Sequence, residues 1–204
     1  MVTVLLPPFE AQVTISSASG SFRVMVREIS AGGVVVRNRN GNWWMAAIEP
    51  AGDPSPSANL QRGSKPKTVL ALPKGLVDPG EKPAETAIRE VYEETGITAD
   101  LITKLDDIKY VYTRAWGDGQ RVFKIVSFYL MQHRSGRINH IAPNMRIEVA
   151  RARWVLLQEA PDLLAYKGEK QIVKRALEYV AAHPELQKQG DAEVPKIPRQ
   201  NAPG

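Results

Sequence analysis

The stretch from Gly75 to Ile97, GLVDPGEKPAETAIREVYEETGI, constrains the fold of this chain more than any other part of it. Gly75 and Gly80 free the backbone for a tight turn, and Pro83 then suits a first helical position, where the missing N–H has no intrahelical partner. Strong helix formers follow as far as Gly96, which supplies a left-handed terminator. At about 100° per residue, Ala84, Ala87, Ile88, Val91 and Thr95 gather on one face of this helix. Glu90, Glu93 and Glu94 gather on the opposite one. The spacing therefore predicts a turn feeding a helix with one apolar side and one carboxylate side.

Carboxylates at i, i+3 and i+4 repel one another, by a few tenths of a kcal/mol per pair. In a chain of net charge +5 their concentration calls for a cause. The cluster becomes favourable when it holds a hard divalent cation. Mg²⁺ takes oxygen ligands and keeps waters for substrate phosphates. Such a cation aligns a phosphate, neutralises its oxygens and lowers the pKa of an attacking water, leaving one glutamate to act as base. Without a Cβ at Gly75, a main-chain carbonyl there can approach the metal. Glu81 and Arg89, eight residues apart, can pair and pin the loop to the helix. The bare E-x-x-E-E pattern fits a solvated acidic face as well, so the surrounding residues have to decide.

The rest of the chain sets the frame. At 204 residues and 43% hydrophobic, it has material for one domain with a substantial core and decorated ends. There is no cysteine, which excludes disulfides, thiolate zinc sites and cysteine nucleophiles. The segment MVTVLLPPFEAQ has no basic lead-in and is interrupted by prolines, so no secretory signal is expected. No apolar run approaches a membrane span, and a cytoplasmic protein without a membrane partner is the default.

FRVMVREI alternates, AGGVVVRN is a β-branched run, and NWWMAAIE follows the turn-forming NRNGN, which together read as hairpin strands. Residues 50–67 carry Pro, Ser and Gly without apolar period and read as an inserted surface loop. Its Arg62, Lys65 and Lys67 could meet phosphate or stay solvated. TVLALP reads as a short strand, ITADLITKLDDIKYVYTRA as two extended stretches, and QRVFKIVSFYLMQH and ARARWVLL as strands. QEAPDLLAY reads as helical, and EKQIVKRALEYVAAH as an amphipathic helix with Ile172, Ala176 and Val180 in phase. The expected layout is an extension over 1–21, a domain over 22–183 and a polar tail over 184–204. Its fold class is α/β, a sandwich built on a mixed β-sheet. The extension is open to three uses: an added edge strand, a swap onto a second copy in a homodimer, or a free flap.

The complete segment matches the Nudix box position by position: Gly75, five residues, Glu81, seven residues, Arg89-Glu90, Val91, Tyr92, Glu93-Glu94, Thr95, Gly96 and Ile97. The chain thus resembles Nudix hydrolases over roughly residues 22–183. The resemblance implies the α/β/α Nudix fold and hydrolysis of a nucleoside diphosphate linked to another moiety. It implies Mg²⁺ or Mn²⁺ on Glu90, Glu93 and Glu94 with the Gly75 carbonyl, and a loop fixed by Arg89 and Glu81. Glu90 is the expected general base, and a glutamate outside the box is the alternative.

The flanks bear on the substrate. LPKGLVDPGE is similar to Nudix enzymes acting on diadenosine polyphosphates and diphosphoinositol phosphates, which makes Lys74 a phosphate contact. Tyr112, fifteen residues beyond Ile97, stands where diadenosine polyphosphate hydrolases tend to have a tyrosine and ADP-ribose hydrolases a proline. Tyr110 and Tyr112 also alternate as packing residues of a strand would. Glu148 stands where this subgroup often places an additional metal-binding or catalytic glutamate. Tyr166 is placed to stack on adenine or to pack a helix end, beside Lys167 and Lys170. His133 and His140 lack a partner pattern.

The expectation is a metal-dependent diadenosine polyphosphate hydrolase releasing ATP and a second nucleotide. Its rivals within the class are nucleoside triphosphates, ADP-ribose or nucleotide sugars, diphosphoinositol phosphates and RNA 5′ ends. A Nudix-like module that senses a nucleotide without hydrolysing it is the rival of another class. Such modules are expected to lose box carboxylates, and here none is missing.

Overall fold

The computed structural model describes residues 26–51, 69–114 and 119–189. The expected extension over 1–21, nearly all of the 50–67 loop with its basic residues, and the tail beyond Gln189 lie outside them. Six strands, β1 (Val26–Arg39), β2 (Asn42–Pro50), β3 (Lys74–Leu76), β4 (Ile97–Thr113), β5 (Arg121–Gly136) and β6 (Val149–Leu156), form one sheet. Three helices accompany it: α1 (Pro83–Thr95), the single turn α2 (Ala160–Leu163) and α3 (Lys167–Ala182). Strand order is β4-β5-β1-β2-β6. β1 runs parallel to β5 along Val26–Val36 and antiparallel to β2, while β3 pairs antiparallel with β1 at Ser30–Gly32. This is the mixed-sheet α/β architecture that the sequence leads one to expect.

Both faces of the sheet are covered. Along β1, Val34 and Val36 join Val126, Phe128 and Leu130 beneath Ile172, Val173, Ala176 and Val180 of α3. Ala31 and Val35, the alternate residues, join Met131 and Ile97 beneath Ala87 and Val91 of α1. Period-2 alternation sends neighbouring valines to opposite layers, and Val34, Val35 and Val36 are all fully buried. A β-branched run with both faces covered contributes ~1.5–3 kcal/mol per buried side chain, which explains why the central strand carries it. A third, smaller cluster of Ile48, Ala71, Ile141, Val149 and Ala152 closes the β6 end.

Several local expectations are corrected. FRVMVREI and AGGVVVRN form one strand within the described residues, not two. ITADLITKLDDIKYVYTRA is likewise one strand, whose register shifts at Thr98/Ala99, Leu101/Thr103 and Lys104/Asp106 break its alternation into two apparent stretches. TVLALP makes only isolated bridges, Ile48↔Ala71 and Leu70↔Leu164, and the paired strand lies just downstream at Lys74–Leu76. QEAPDLLAY contributes only the one turn of α2. The tail from 184 begins with a 3₁₀ helix, Pro184–Gln189, and the Gln132 amide donates to the Leu186 carbonyl at 3.3 Å. No helix among the described residues is long and apolar enough to cross a membrane.

Candidate active site

α1 begins at Pro83, and the Glu85 carboxylate accepts the Lys82 N–H at 3.0 Å, a capping contact from the exposed first turn. It ends at Gly96, whose φ of 78° and contact with the His140 backbone leave no room for a side chain. Gly80, at φ 84°, turns the loop that precedes Glu81. The buried face differs from the expected one. Ala87, Val91 and Thr95 are buried, but Ile88 is 40% exposed, while Thr86, Glu90 and Glu94 are buried. The helix is thus rotated so that two of the three glutamates lie under the β3 edge, and the partly exposed Glu93 borders them.

Arg89 organises the loop. Its Nε and Nη2 donate to the two oxygens of Glu81 at 3.0 and 2.9 Å, and Nη2 also donates to the Leu76 carbonyl at 3.1 Å. Thr86 Oγ1 donates to Glu81 Oε2 at 2.6 Å. The fork and the hydroxyl hold the Glu81 carboxyl down to about 2, with the Arg89 contact the largest cause. Arg89 reaches further than the expected pairing, since Nη1 lies 2.6 Å from Glu90 Oε1 and 3.3 Å from Glu93 Oε2.

The Glu90 carboxylate lies directly over Gly75, where any Cβ would overlap it. Glycine is required here for close approach of a side chain to backbone. Glu94 Oε2 accepts the Lys74 N–H at 2.8 Å. Burial pushes Glu94 up to about 8, and the charges of Glu90 and Glu148 push the same way against the Lys74 contacts. Burial raises Glu90 too, with the charges of Glu93 and Glu148 adding to it while Arg89 opposes them. Glu148, exposed at the end of the 3₁₀ helix Pro143–Ile147, is thereby brought within electrostatic reach of both.

The other sequence-predicted residues stand on a second wall. The Tyr112 hydroxyl donates to Glu28 Oε2 at 2.9 Å, Arg114 Nη2 lies 2.7 Å from Glu28 Oε1, and Lys124 Nζ lies 3.6 Å from Glu28 Oε2. Tyr110, Lys124 and Glu28 face one another across β4, β5 and β1. Burial lowers the Lys124 ammonium, and the charge of Lys74 lowers it further, against Glu28. Burial would raise Glu28, but Arg114, Tyr112 and Lys124 prevail and lower it. Tyr166, half exposed, caps α3 within electrostatic reach of Tyr110, and Lys167 follows it exposed to solvent. His133 packs edge-on against Trp154, away from this wall, and Arg37 stacks over the same ring at 3.9 Å.

Four residues of the site were not singled out from sequence: Glu28, Arg114, Lys124 and Glu169. Each left a trace. Lys124 interrupts the apolar VFKIVSF run, and Glu28 takes the inward phase of β1 while Ile29 turns outward, 39% exposed. Glu169 sits in phase with Ile172 and Ala176 on the buried stripe of α3 and is itself 3% exposed. Its Oε2 accepts the Leu72 N–H at 3.0 Å, and burial pushes it up to about 7.

Residues 29–176 match the NUDIX domain family. The chain belongs to the Nudix family. Among Nudix relatives it is 35% identical over 185 residues to "Putative mutator protein MutT4" of Mycobacterium tuberculosis, covering 90% of this chain and 67% of that one. It is 30% identical over 116 residues to the asymmetrical bis(5′-nucleosyl)-tetraphosphatase of Mus musculus, covering 55% and 72%. A solved C. elegans Ap4A hydrolase superposes with a TM-score of 0.53 at 19% identity over 76% of this chain and 98% of that one, which shows the shared fold. As a Nudix pyrophosphohydrolase the chain acts on nucleoside diphosphate-linked substrates, in a family that generally uses divalent metal ions.

The residues present fit such an ion. Among the described residues no three acidic side chains already converge on one cation position, because Arg89 holds Glu90 and Glu93. The donors are nevertheless hard oxygens, and two of them are buried beside one another with raised pKa values. A divalent cation relieves that repulsion.

Proposed function

We propose that this Nudix protein is a Mg²⁺-dependent hydrolase of dinucleoside polyphosphates in the cytoplasm, cleaving diadenosine tetra- to hexaphosphate to ATP and a second nucleotide. The observation that carries the reading is the pairing of two walls of opposite deficit. α1 carries surplus buried carboxylate, Lys124 and Arg114 flank Glu28 on the strands, and Lys74 stands between them, its N–H on Glu94 and its charge felt by Lys124. A polyphosphate with its cation complements both. The likeness to the mouse tetraphosphatase supports the substrate class.

In this reading Glu90, Glu93, Glu94 and Glu148, with the Gly75 carbonyl, would hold the cation. When bound, it neutralises phosphate oxygens and lowers the pKa of the attacking water. Glu90, raised by burial, accepts the proton from that water as its oxygen bonds to phosphorus. The bridging P–O bond breaks, and the leaving phosphate oxygen takes its charge toward Lys74. Arg89 keeps the loop in place through Glu81 and the Leu76 carbonyl, and Tyr166 stacks on adenine beside Lys167. Tyr112, its hydroxyl held by Glu28, lines the phosphate wall.

Nucleoside triphosphate hydrolysis is kept as a second reading, because the longer match is to a putative mutator protein whose name specifies no dinucleoside polyphosphate. The deciding experiment is a panel of dinucleoside polyphosphates, nucleoside triphosphates, ADP-ribose, diphosphoinositol phosphates and 5′-triphosphate RNA, run in ¹⁸O-labelled water with Mg²⁺. Label in the nucleotide products of a dinucleoside polyphosphate supports the first reading. Selective cleavage of triphosphates, with dinucleoside polyphosphates intact, replaces it with the second.

A further inference from the structure

The segment Leu72–Lys74 leads into the site with an unusual pattern of backbone partners. Leu72 donates its N–H to Glu169 of α3 at 3.0 Å, and Lys74 donates its N–H to Glu94 of α1 at 2.8 Å. Pro73, between them, has no N–H, and its carbonyl accepts from Gly33 of β1 at 3.1 Å. The two available donors are thus taken by carboxylates from helices on opposite faces of the sheet. Glu169 is costly to bury unless satisfied, yet it lies within the apolar stripe of α3. Two further ties join the same pieces of chain: Leu70 bridges Leu164, and the Ala165 N–H reaches the Leu70 carbonyl at 3.0 Å. The charge of Lys74 favours the ionised form of Glu169.

We propose that Glu169 is a positioning residue for the reaction: by holding the Leu72 N–H from α3, opposite Glu94 on α1, it fixes the backbone that presents Lys74 to the phosphates. The proposal deepens the function above and rests on its assignment of Lys74. Glu169, 97 residues beyond Leu72 in sequence, thereby ties α3, which Tyr166 begins, to the segment that leads into the site.

The test uses the full chain with Glu169→Met, which keeps volume but removes the acceptor, and Glu169→Gln, which keeps an acceptor oxygen. Glu169→Ala is the second variant should the methionine fail to fold. In the acceptor-less variant, Leu72 amide exchange accelerates and KM for diadenosine tetraphosphate rises about tenfold with kcat little changed, the weight of one hydrogen bond to a charged group. Tripolyphosphate affinity in Mg²⁺ falls by the same factor, and Glu169→Gln restores both. In a Lys74→Met background the loss of Glu169 adds less than about twofold, because the two changes act through one contact. Faster exchange with unchanged KM and tripolyphosphate affinity would leave Glu169 purely structural and overturn the proposal. A full effect persisting without Lys74, or no rescue by glutamine, would overturn it equally. If wild type leaves diadenosine tetraphosphate intact, the substrate reading fails, and the exchange and tripolyphosphate arms still decide the role of Glu169.

Discussion

The two walls of the site are both networks of carboxylate and cation, and they are unbalanced in opposite senses. On α1, the single cation Arg89 is shared among Glu81, Glu90 and Glu93, with Glu94 buried beyond its reach. Glu90 and Glu94 are both raised. On the β4-β5-β1 wall one carboxylate, Glu28, is shared among Tyr112, Arg114 and Lys124, and it is lowered. The first wall is short of positive charge and the second is short of negative charge. Isolated, each arrangement is unfavourable, since buried charge is costly without full pairing. In the proposed function a divalent cation and a polyanion together complete both.

Glu94→Gln should have the largest effect, because it keeps shape and removes the carboxylate that the proposed cation would use from the buried side of the helix. Hydrolysis at saturating Mg²⁺ is expected to fall at least about 100-fold with the far-ultraviolet circular dichroism unchanged. Wild-type turnover in this variant would remove the carboxylate wall from the chemistry. Next comes Arg89→Lys, which loses the bidentate fork and the Leu76 contact. It should cost about 1–3 kcal/mol in urea unfolding; a cost near zero would show that the loop is held by other means. On the opposite wall, Lys124→Met should raise KM about tenfold with a smaller change in kcat, the cost of one charge-assisted contact. An unchanged KM would take Lys124 out of phosphate binding.

The pH dependence sharpens the same contrast. Glu81, ordinarily near 4.5, is held down to about 2 in the folded protein. Its contribution to stability is therefore complete above pH 4.5 and lost as pH falls toward 2. Glu81→Gln should be less stable at pH 7 and lose less on acidification across that window, as read by urea melts. Parallel acid limbs for the variant and wild type would contradict the assignment. The smallest effect is expected from Glu85→Ala, which removes one exposed capping contact at about 0.5–1 kcal/mol. A loss of activity there would mean that Glu85 serves the site and not only the helix end.

The two walls also differed in how far they could be read from sequence. The loop and helix from Gly75 to Gly96 are local, so spacing and residue type set out the Pro83 start, the Gly96 stop and the Glu81–Arg89 pair before any coordinates. Even there, helical periodicity placed Ile88 inward and the glutamates outward. The structure turns the helix because Gly75 admits Glu90 beneath β3 and Lys74 offers its N–H to Glu94. The second wall is assembled from Glu28, Tyr112, Arg114 and Lys124, which strand pairing brings together. Parallel pairing of β1 with β5 is a long-range event that no local pattern specifies. Tyr112 was visible only through family likeness, whereas Lys124 and Glu28 left only charges in a strand's buried phase.

The account stands on the two walls acting as one site, and calorimetry of a non-hydrolysable methylene-bridged diadenosine tetraphosphate, with and without Mg²⁺, measures that most directly. Coupling between cation and polyanion should tighten binding of the analogue on adding Mg²⁺. The gain should vanish in Glu94→Gln while the Mg²⁺-free affinity survives. Analogue affinity independent of Mg²⁺ in the wild type would contradict the account.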